Sequence, residues 1–383
     1  MSIFLARPER IGDGIPLAVK DLFDTAGLTT TYGSVIFAGH VPERTAEAVS
    51  RLEAAGYANV GKTNLHEFAY GITGYNPHFG EVPNPIAPGR TAGGSSSGSA
   101  AALAAGEAEA ALGSDSGGSI RIPAACCGVV GFKPSHGLVP LEGCFPLAPS
   151  FDHAGPMGRN VDTCARMMEA LVPGFEQTEL GPLEEIEVGI AWLDLADPLV
   201  RARVEEAVQL FPHRREVDFP LPEEVGTVFM REVAESHQGL FPERADSYGD
   251  NVRTKLERCL AVTDAEFEHG RRRLKEYRER AAEAFEGLDL LLTPTLAFVA
   301  PPAVEDDLEI RDAMIRFTYP FNALGWPALA LPCGPAGDGL PASTQLVAPT
   351  GRDALVLAAG TLLEASKMLA CKAGRQGTRR RRS

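Results

Sequence analysis

The sequence lacks the long apolar segments that membrane insertion and secretion require. Its 383 residues contain no run of about 18 apolar residues, close to the length that a membrane-spanning helix needs. The first residues, MSIFLARPERIGDG, lack the apolar core of a signal peptide. We therefore expect a cytoplasmic protein with no membrane partner.

Cysteine is too sparse and too scattered for a disulfide framework or a zinc site. The seven cysteines form an odd set with no C-x-x-C pair and no histidine at ligand spacing. Reduced thiols are the default for such a chain, and we expect the adjacent Cys126 and Cys127 to be packed and not bonded. The sequence predicts neither a metal nor another cofactor.

Basic charge is also in deficit. The chain has 51 acidic residues against 36 lysines and arginines, which gives a net charge of −15. Nucleic-acid binding uses basic stripes or patches, so this balance argues against a nucleic-acid partner and favours an enzyme that acts on a small molecule. The basic residues at 374–383 are expected to form a disordered tail.

Glycine, alanine and serine are concentrated in residues 90–134. Two Gly/Ser clusters, 93–99 and 113–119, flank an alanine-rich run at 100–111 that predicts a helix. Glycine at this density lets backbone N–H groups approach a ligand closely. Because the stretch continues into the apolar segment CCGVVGF, we interpret it as two loops around a buried helix and not as a linker.

The patterns around this stretch indicate one α/β domain with a central mixed β-sheet flanked by helices on both faces. A strand, a helix with Thr45 as its N-cap and a second strand are predicted at 15–19, 45–55 and 58–61. Further elements follow the Gly/Ser stretch: a helix at 161–171, strands at 187–192, 288–292 and 328–333, and a helix at 354–364. Charged helices at 195–285 predict an elaboration on this core.

A serine in the second Gly/Ser cluster is a candidate nucleophile. Ser119 follows two glycines, and the N–H groups of residues 116–119 can converge on a carbonyl oxygen, as in an oxyanion hole. The surrounding residues do not match G-x-S-x-G. A serine nucleophile needs a base, and the residues alone leave several candidates open: His136, His153, Lys20 and Lys62.

Several long motifs resemble those of the amidase signature family. The resemblance is dense over about 15–160, thinner over 288–365, and absent from the middle of the chain. The motifs are GIPLAVKD at 14–21, GKTNLHEFA at 61–69, GGSSSGSAAALAAG at 93–106, ALGSDSGGSIRIPAACCGVVGFKPS at 111–135, FPLAPSFDHAGPMGR at 145–159, NALGWPALALPCG at 322–334 and GLPASTQLVAP at 339–349.

The resemblance implies a Ser–cisSer–Lys triad that needs no metal or cofactor. It places the nucleophile on Ser119, the bridging serine on Ser95 after a cis peptide bond, and the base on Lys20. It also implies an oxyanion hole on the backbone of Ser116, Gly117, Gly118 and Ser119. Lys62 is left as a structural donor to loop carbonyls, and we expect the apolar residues before Lys20 to exclude water better than those before Lys62.

Other residues receive supporting or substrate-binding roles. Asp115 and Arg121 are predicted to form an ion pair or hydrogen-bond network, although Arg121 can instead reach an acidic substrate. Ser96, Ser97 and Ser99 are interpreted as loop donors or helix caps. The candidates for the substrate pocket are Tyr70, Gly71 and Phe145, whose character suggests an uncharged small amide, an aryl amide or a carbamate.

The activity expected from the resemblance is hydrolysis of a linear amide through a serine acyl-enzyme, with release of ammonia or an amine. The PLAPSFDHAGPMGR motif resembles stand-alone amidases more than the tRNA amidotransferase component of the same family. Two alternatives stay open: a component of a tRNA-dependent amidotransferase complex, and an inactive member that acts as a binding scaffold. Nineteen residues precede Lys20, fewer than the family pattern has, and a homodimer is one candidate assembly.

Overall fold

A sheet of eleven strands runs through the chain in the computed structural model, which describes residues 2–380 and the side chains of residues 2–366. In chain order the strands are β1 (Phe4–Ala6), β2 (Ile15–Lys20), β3 (Tyr57–Thr63), β4 (Ala110–Asp115), β5 (Val130–Lys133), β6 (His153–Gly158), β7 (Val188–Ile190), β8 (Arg214–Glu216), β9 (Leu290–Pro294), β10 (Ala328–Pro335) and β11 (Pro341–Val347). Their order across the sheet is β1-β3-β2-β4-β6-β5-β10-β11-β9-β7-β8.

Eleven α-helices surround this sheet in the described residues. They are α1 (Glu47–Ala54), α2 (Ser97–Ala105), α3 (Arg121–Cys127), α4 (Val161–Leu171), α5 (Pro198–Val208), α6 (Gly226–Ser236), α7 (Asp250–Leu260), α8 (Asp264–Ala284), α9 (Arg311–Ile315), α10 (Tyr319–Leu324) and α11 (Asp353–Arg380). None of the helices that the structure describes is long and apolar enough to span a bilayer.

The sheet is mixed, which confirms the predicted fold class. β2 pairs in parallel with β3 and β4, whereas β4 and β6 are antiparallel. β10 pairs antiparallel with β5 and β11, which joins the second half of the chain to the Gly/Ser region. The elaboration predicted at 195–285 contains α5 to α8 and the short edge strand β8.

Alternation along β2 determines which face of the sheet carries the candidate base. Leu17 and Val19 pack into the larger core with residues of α1 and α4, whereas Ala18 packs into a second core with residues of α2. Side chains two residues apart lie on the same face of a strand. Lys20 therefore shares the face of Ala18, beneath α2.

The alanine-rich run predicted as a helix at 100–111 divides into two elements. α2 ends at Ala105, and Gly106 follows it with a left-handed φ of 76° and donates its N–H to carbonyls of the last turn. Ala110 and Ala111 belong to β4, where they pair with β2 and β6. The prediction was wrong beyond Ala105 because sheet pairing overrides the weak helix preference of alanine.

One predicted feature at a helix end also differs from the structure. The N-cap of α1 is Ala46, because the hydroxyl of Thr45 accepts a hydrogen bond from the N–H of Ala26 at 3.1 Å instead of capping the helix. The last helix, α11, is described as far as Arg380, residues 381–383 lie outside the described part, and the disordered tail at 374–383 stays a prediction.

Candidate active site

The end of β2 brings Lys20 to a fully buried position among hydroxyl groups. Its Nζ donates to Ser95 Oγ at 2.7 Å and to Ser114 Oγ at 2.8 Å. Burial disfavours the charged amine and lowers the pKa of Lys20 to about 7. At neutral pH, a large fraction of Lys20 is therefore neutral and able to accept a proton.

Ser95 lies in the loop before α2, and its peptide bond with Gly94 is cis. A Cβ at position 94 would lie 2.3 Å from the carbonyl oxygen of Thr73, so only glycine fits there. The carbonyl of Ser95 accepts a hydrogen bond from the N–H of His66 at 3.3 Å, and the N–H of Ser96 donates to the carbonyl of Ser119 at 3.1 Å. This last bond ties the bridging-serine loop to the nucleophile loop.

Ser119 lies just before α3, at the end of a glycine turn. Gly118 has a φ of 135°, and a Cβ there would lie 2.3 Å from the hydroxyl of Thr318, so the turn requires glycine. Ser119 is 5% exposed. Within the described residues, no hydrogen bond joins Ser119 Oγ to Ser95 Oγ; the loop of Ser95 is tied to Ser119 by the bond from the N–H of Ser96.

The backbone donors implied for an oxyanion hole are not all available. The N–H of Gly118 donates to Asp115 Oδ1 at 2.8 Å, which commits it to holding the turn. No described group accepts a hydrogen bond from the N–H groups of Ser116, Gly117 and Ser119. Of the four N–H groups that the resemblance implies for the oxyanion hole, that of Gly118 is therefore already bonded to Asp115, and three are left for a substrate.

Asp115 and Arg121 form a fully buried ion pair below this turn. Arg121 donates to both carboxylate oxygens of Asp115, at 2.9 and 3.0 Å, and to the side-chain oxygen of Asn322 at 2.6 Å. Burial by itself would raise the pKa of Asp115, but the charge and hydrogen bonds of Arg121 outweigh it and hold that pKa well below its usual value. Arg121 is completely engaged within the protein, so the alternative in which it reaches a substrate is not supported.

Lys62, the other candidate lysine, has a different environment. It is as fully buried as Lys20, which corrects the expectation that it is less shielded. Its amine forms an ion pair with Asp21 at 3.0 Å and donates to the carbonyl of Phe23 and the hydroxyl of Thr30, both at 2.6 Å. Burial lowers the pKa of Lys62, whereas the negative charge of Asp21 opposes that shift. The contacts are those of a structural donor.

The two candidate histidines do not contact Ser119. His153 is buried, with its Nδ1 2.7 Å from the carbonyl oxygen of Phe151, and burial lowers its pKa well below the usual range. His136 is exposed, with its Nε2 3.0 Å from the carbonyl oxygen of Pro149. The described contacts of both rings therefore favour a structural role.

Three serines lie at the start of α2: Ser96 is its N-cap residue, and Ser97 and Ser99 belong to its first turn. Ser96 and Ser99 donate to backbone carbonyls of β4, consistent with the loop-donor interpretation. Ser96 occupies the N-cap position of α2 without a side-chain capping bond. The buried hydroxyl of Ser97 has no partner among the described groups. Of the two predicted roles, the structure supports the donor for Ser96 and Ser99 and not the helix cap.

Two cavities border this arrangement. The first, called here the apolar cavity, has a volume of about 150 Å³ and is lined by Leu22, Ser114, Cys144, Phe145, Leu147 and Asp152 among others. The second, called here the charged cavity, has a volume of about 490 Å³ and is lined by Tyr70, Phe229, Lys255, Arg258, Arg311 and Tyr319 among others. Ser114 connects the apolar cavity directly to Lys20.

The three substrate-pocket candidates have separate positions. Phe145 lines the apolar cavity and Tyr70 lines the charged cavity, where its hydroxyl contacts Cys259 Sγ at 3.3 Å. Gly71 packs against His66, and a Cβ at position 71 would lie 2.1 Å from the imidazole Nε2. Close packing against that ring accounts for glycine there.

Ser114 and Asn322 are two members of the site that sequence reasoning missed. Ser114 lies near the carboxyl end of β4, which runs parallel to β2, so a strand assignment at 110–115 would have placed it near Lys20. Asn322 donates to the carbonyl and carboxylate oxygens of Asp115, at 2.9 and 2.8 Å. Its NALGWPALALPCG motif gave no indication of that contact, which spans 207 residues.

Among the described residues, no group of three or more histidine, cysteine, aspartate or glutamate side chains is arranged to hold a metal ion. Cys126 and Cys127 are buried free thiols, as expected. The metal independence of the site stays a prediction, for which chelation is the test.

Comparisons with characterised proteins agree on one family. The family model described as Amidase matches residues 7–357. The A subunit of the glutamyl-tRNA(Gln) amidotransferase of Thermus thermophilus is 37% identical over 94% of this chain and 87% of that protein. AtzE, which belongs to the 1-carboxybiuret hydrolase of Pseudomonas sp. (strain ADP), is 34% identical over 92% of this chain and 83% of that protein.

Solved structures agree with this result. A crystal structure of an amidase superimposes with a TM-score of 0.84 at 39% identity, covering 92% of this chain and 84% of the other. A 6-aminohexanoate cyclic dimer hydrolase superimposes with a TM-score of 0.79 at 28% identity, with the same coverage. The fold, the motifs and these similarities lead to one conclusion: the chain belongs to the amidase signature family.

Proposed function

We propose that this protein hydrolyses the C–N bond of a small carboxylic amide, aryl amide or carbamate through an acyl-enzyme on Ser119. The observation that carries the proposal is the buried amine of Lys20, which lies 2.7 Å from Ser95 Oγ and has a pKa lowered to about 7. A lysine with the ordinary pKa of about 10.4 would be protonated at neutral pH and unable to act as a base. Its burial among hydroxyl groups supports proton transfer as its role.

In the proposed mechanism, neutral Lys20 takes a proton from Ser95 as Ser95 takes one from Ser119. Ser119 Oγ attacks the amide carbon, and the uncommitted N–H groups of Ser116, Gly117 and Ser119 are the donors that stabilise the developing negative charge, each by roughly 3–4 kcal/mol. The proton returns through Ser95 to the leaving nitrogen, and ammonia or an amine departs. Water then attacks the acyl-enzyme with the same base and releases the acid.

A second candidate function is the ammonia-producing component of a tRNA-dependent amidotransferase. Relatives that bear the name of that enzyme are 35–37% identical to this chain over more than 90% of its length. In this function the same chemistry would act on a donor amide inside a complex that also needs partner proteins and ATP. The inactive scaffold is not favoured, because Lys20, Ser95 and Ser119 are all present.

Release of ammonia or amine by the purified chain separates these functions. A panel of aliphatic amides, anilides and carbamates is assayed without ATP or partner proteins, with Ser119→Ala as the control. We expect turnover by the wild-type chain alone and its loss in the variant. Turnover only after addition of amidotransferase partners would support the second function, and no turnover under any condition would support the scaffold.

A further inference from the structure

The charged cavity adjoins residues 116–119, called here the oxyanion turn, through the side chain of Tyr319. Tyr319 lines the cavity, and its ring carbon lies 3.6 Å from the position that a Cβ on Gly117 would occupy. The preceding residue, Thr318, donates its hydroxyl hydrogen to the carbonyl of Gly117 at 2.7 Å. Tyr319 and Thr318 therefore join the wall of this cavity to the turn that carries the N–H of Gly117.

Several charges that line the cavity are already committed to protein partners. Lys255 is buried and forms an ion pair with Asp307 at 2.5 Å. Glu224 contacts Arg273 at 3.3 Å and His269 at 3.4 Å. The charges of Lys255 and Glu224 are therefore largely balanced by these protein partners, and neither group is a strong binding site for a charged ligand.

Three hydrogen-bond donors in the cavity are not committed in this way. Among the described residues, Arg258 forms no hydrogen bond or ion pair with a side chain or carbonyl. Arg311 has one ion pair, at 3.5 Å with Asp312, whose side chain is 95% exposed, and such surface pairs contribute little. The hydroxyl of Tyr319 is buried without a partner in the described part of the chain. A buried hydroxyl without a partner costs free energy, so a ligand that accepts its hydrogen bond is favoured.

The charge state of Tyr319 agrees with a donor role. Burial raises the pKa of its phenol, and the positive charge of Arg311 only partly opposes this shift. The hydroxyl therefore keeps its proton at neutral pH. Two guanidinium groups and a phenol O–H present donors and positive charge, which a carboxylate with its two acceptor oxygens complements.

From this arrangement we infer that the substrate is an amide that also carries a carboxylate, and that Arg258, Arg311 and Tyr319 bind this carboxylate in the charged cavity. The inference rests on the proposed hydrolase function and replaces the expectation of an uncharged substrate. The apolar cavity, which Ser114 and Ser116 line, can hold only a small group, because its volume is about 150 Å³.

The test compares succinamate, the monoamide of a short dicarboxylic acid, with butanamide, its uncharged counterpart of the same length. We expect kcat/KM for succinamate to exceed that for butanamide by about tenfold or more, since charge-assisted hydrogen bonds are stronger than neutral ones. Arg311→Gln and Arg258→Gln should each move this ratio toward one. Arg316→Gln is the matched control, because it removes an arginine close to Arg311 that does not line the cavity.

A binding measurement keeps this inference separate from the proposed function. Titration calorimetry with succinamate uses the Ser119→Ala protein with and without Arg311→Gln. If the wild type shows no turnover but Ser119→Ala binds succinamate, and Arg311→Gln weakens this binding, the result would contradict the hydrolase function and support the carboxylate site. Three results would overturn the inference. The first is a wild-type preference for butanamide, and the second is a kcat/KM ratio of succinamate to butanamide that is unchanged in both arginine variants. The third is a protein that neither turns over nor binds succinamate.

Discussion

Lys20 and Lys62 are equally buried, but only Lys62 contacts a carboxylate. The amine of Lys62 lies 3.0 Å from Asp21 Oδ1, whereas the hydrogen bonds of Lys20 go to Ser95 and Ser114. Burial lowers the pKa of both lysines, but only for Lys62 does a paired carboxylate favour the charged form. This difference separates the proposed base from the structural lysine.

The first prediction concerns the pH dependence of the two lysines. Because the neutral amine of Lys20 is the base and its pKa is about 7, kcat/KM should fall about tenfold per pH unit below that value and level off above it. Lys20→Ala should remove this limb and lower the rate by about 10²–10⁴-fold. The measurement is kcat/KM from about pH 5 to about pH 9, a range that brackets the pKa of Lys20, for the wild type, Lys20→Ala and Lys62→Ala.

Lys62→Ala is the matched control for this prediction. It leaves Asp21 buried without its ion-pair partner, which should lower the free energy of unfolding by about 3–5 kcal/mol. The acidic limb should persist in the activity that remains. A well-folded Lys62→Ala protein without activity, beside an active Lys20→Ala protein that keeps the limb, would contradict the assignment.

The second prediction concerns Ser114, which shares the amine of Lys20 with Ser95. A hydroxyl oxygen that accepts from the amine favours its charged form, so Ser114→Ala should lower the pKa of Lys20. The acidic limb of kcat/KM should therefore move to lower pH. Ser114→Thr keeps the hydroxyl and should retain the wild-type limb. A limb that stays in place in Ser114→Ala would show that this contact does not affect the base.

The third prediction concerns Asn322, which positions the oxyanion turn through Asp115. Asn322→Ala removes one hydrogen-bond partner from the buried carboxylate of Asp115 and one from the buried guanidinium of Arg121, at a cost of about 1–3 kcal/mol for each lost bond. We expect lower stability in denaturant and a lower kcat with little change in KM.

The matched control for Asn322 is Asn160→Ala, which removes the N-cap of α4 without touching the site. Asn160 accepts a hydrogen bond from the N–H of Thr163 at 2.8 Å, and loss of such a cap costs about 1 kcal/mol. This variant should lose stability but keep its kcat. Equal loss of kcat in the two variants would show that Asn322 acts through stability alone.

The sequence predicted the features that depend on local pattern. The helix at 161–171 matches α4 because its apolar residues recur at helical spacing, and Asn160 caps it. The strand before Lys20 matches β2 to within one residue. The candidate triad came from motif resemblance alone. The spacing of residues did not decide whether Lys20, Lys62 or one of two histidines is the base.

Other features depend on contacts between distant parts of the chain. Whether Ala110 joins a helix or a strand depends on its pairing with Leu17 and Gly158, which alanine content does not indicate. The commitment of the Gly118 N–H follows from the rotamer of Asp115, which is fixed in turn by Arg121 and Asn322. No local sequence pattern carries that information.

The central claim is that Ser119 is the nucleophile, and covalent trapping tests it most directly. The purified protein is treated with a fluorophosphonate, digested and analysed by peptide mass spectrometry, with Ser119→Ala and Lys20→Ala treated in parallel. We expect one label on Ser119 in the wild type, slower labelling of that residue in Lys20→Ala, and none in Ser119→Ala. A label on Ser95, Ser116 or any other residue in the wild type, or labelling that persists in Ser119→Ala, would contradict the claim.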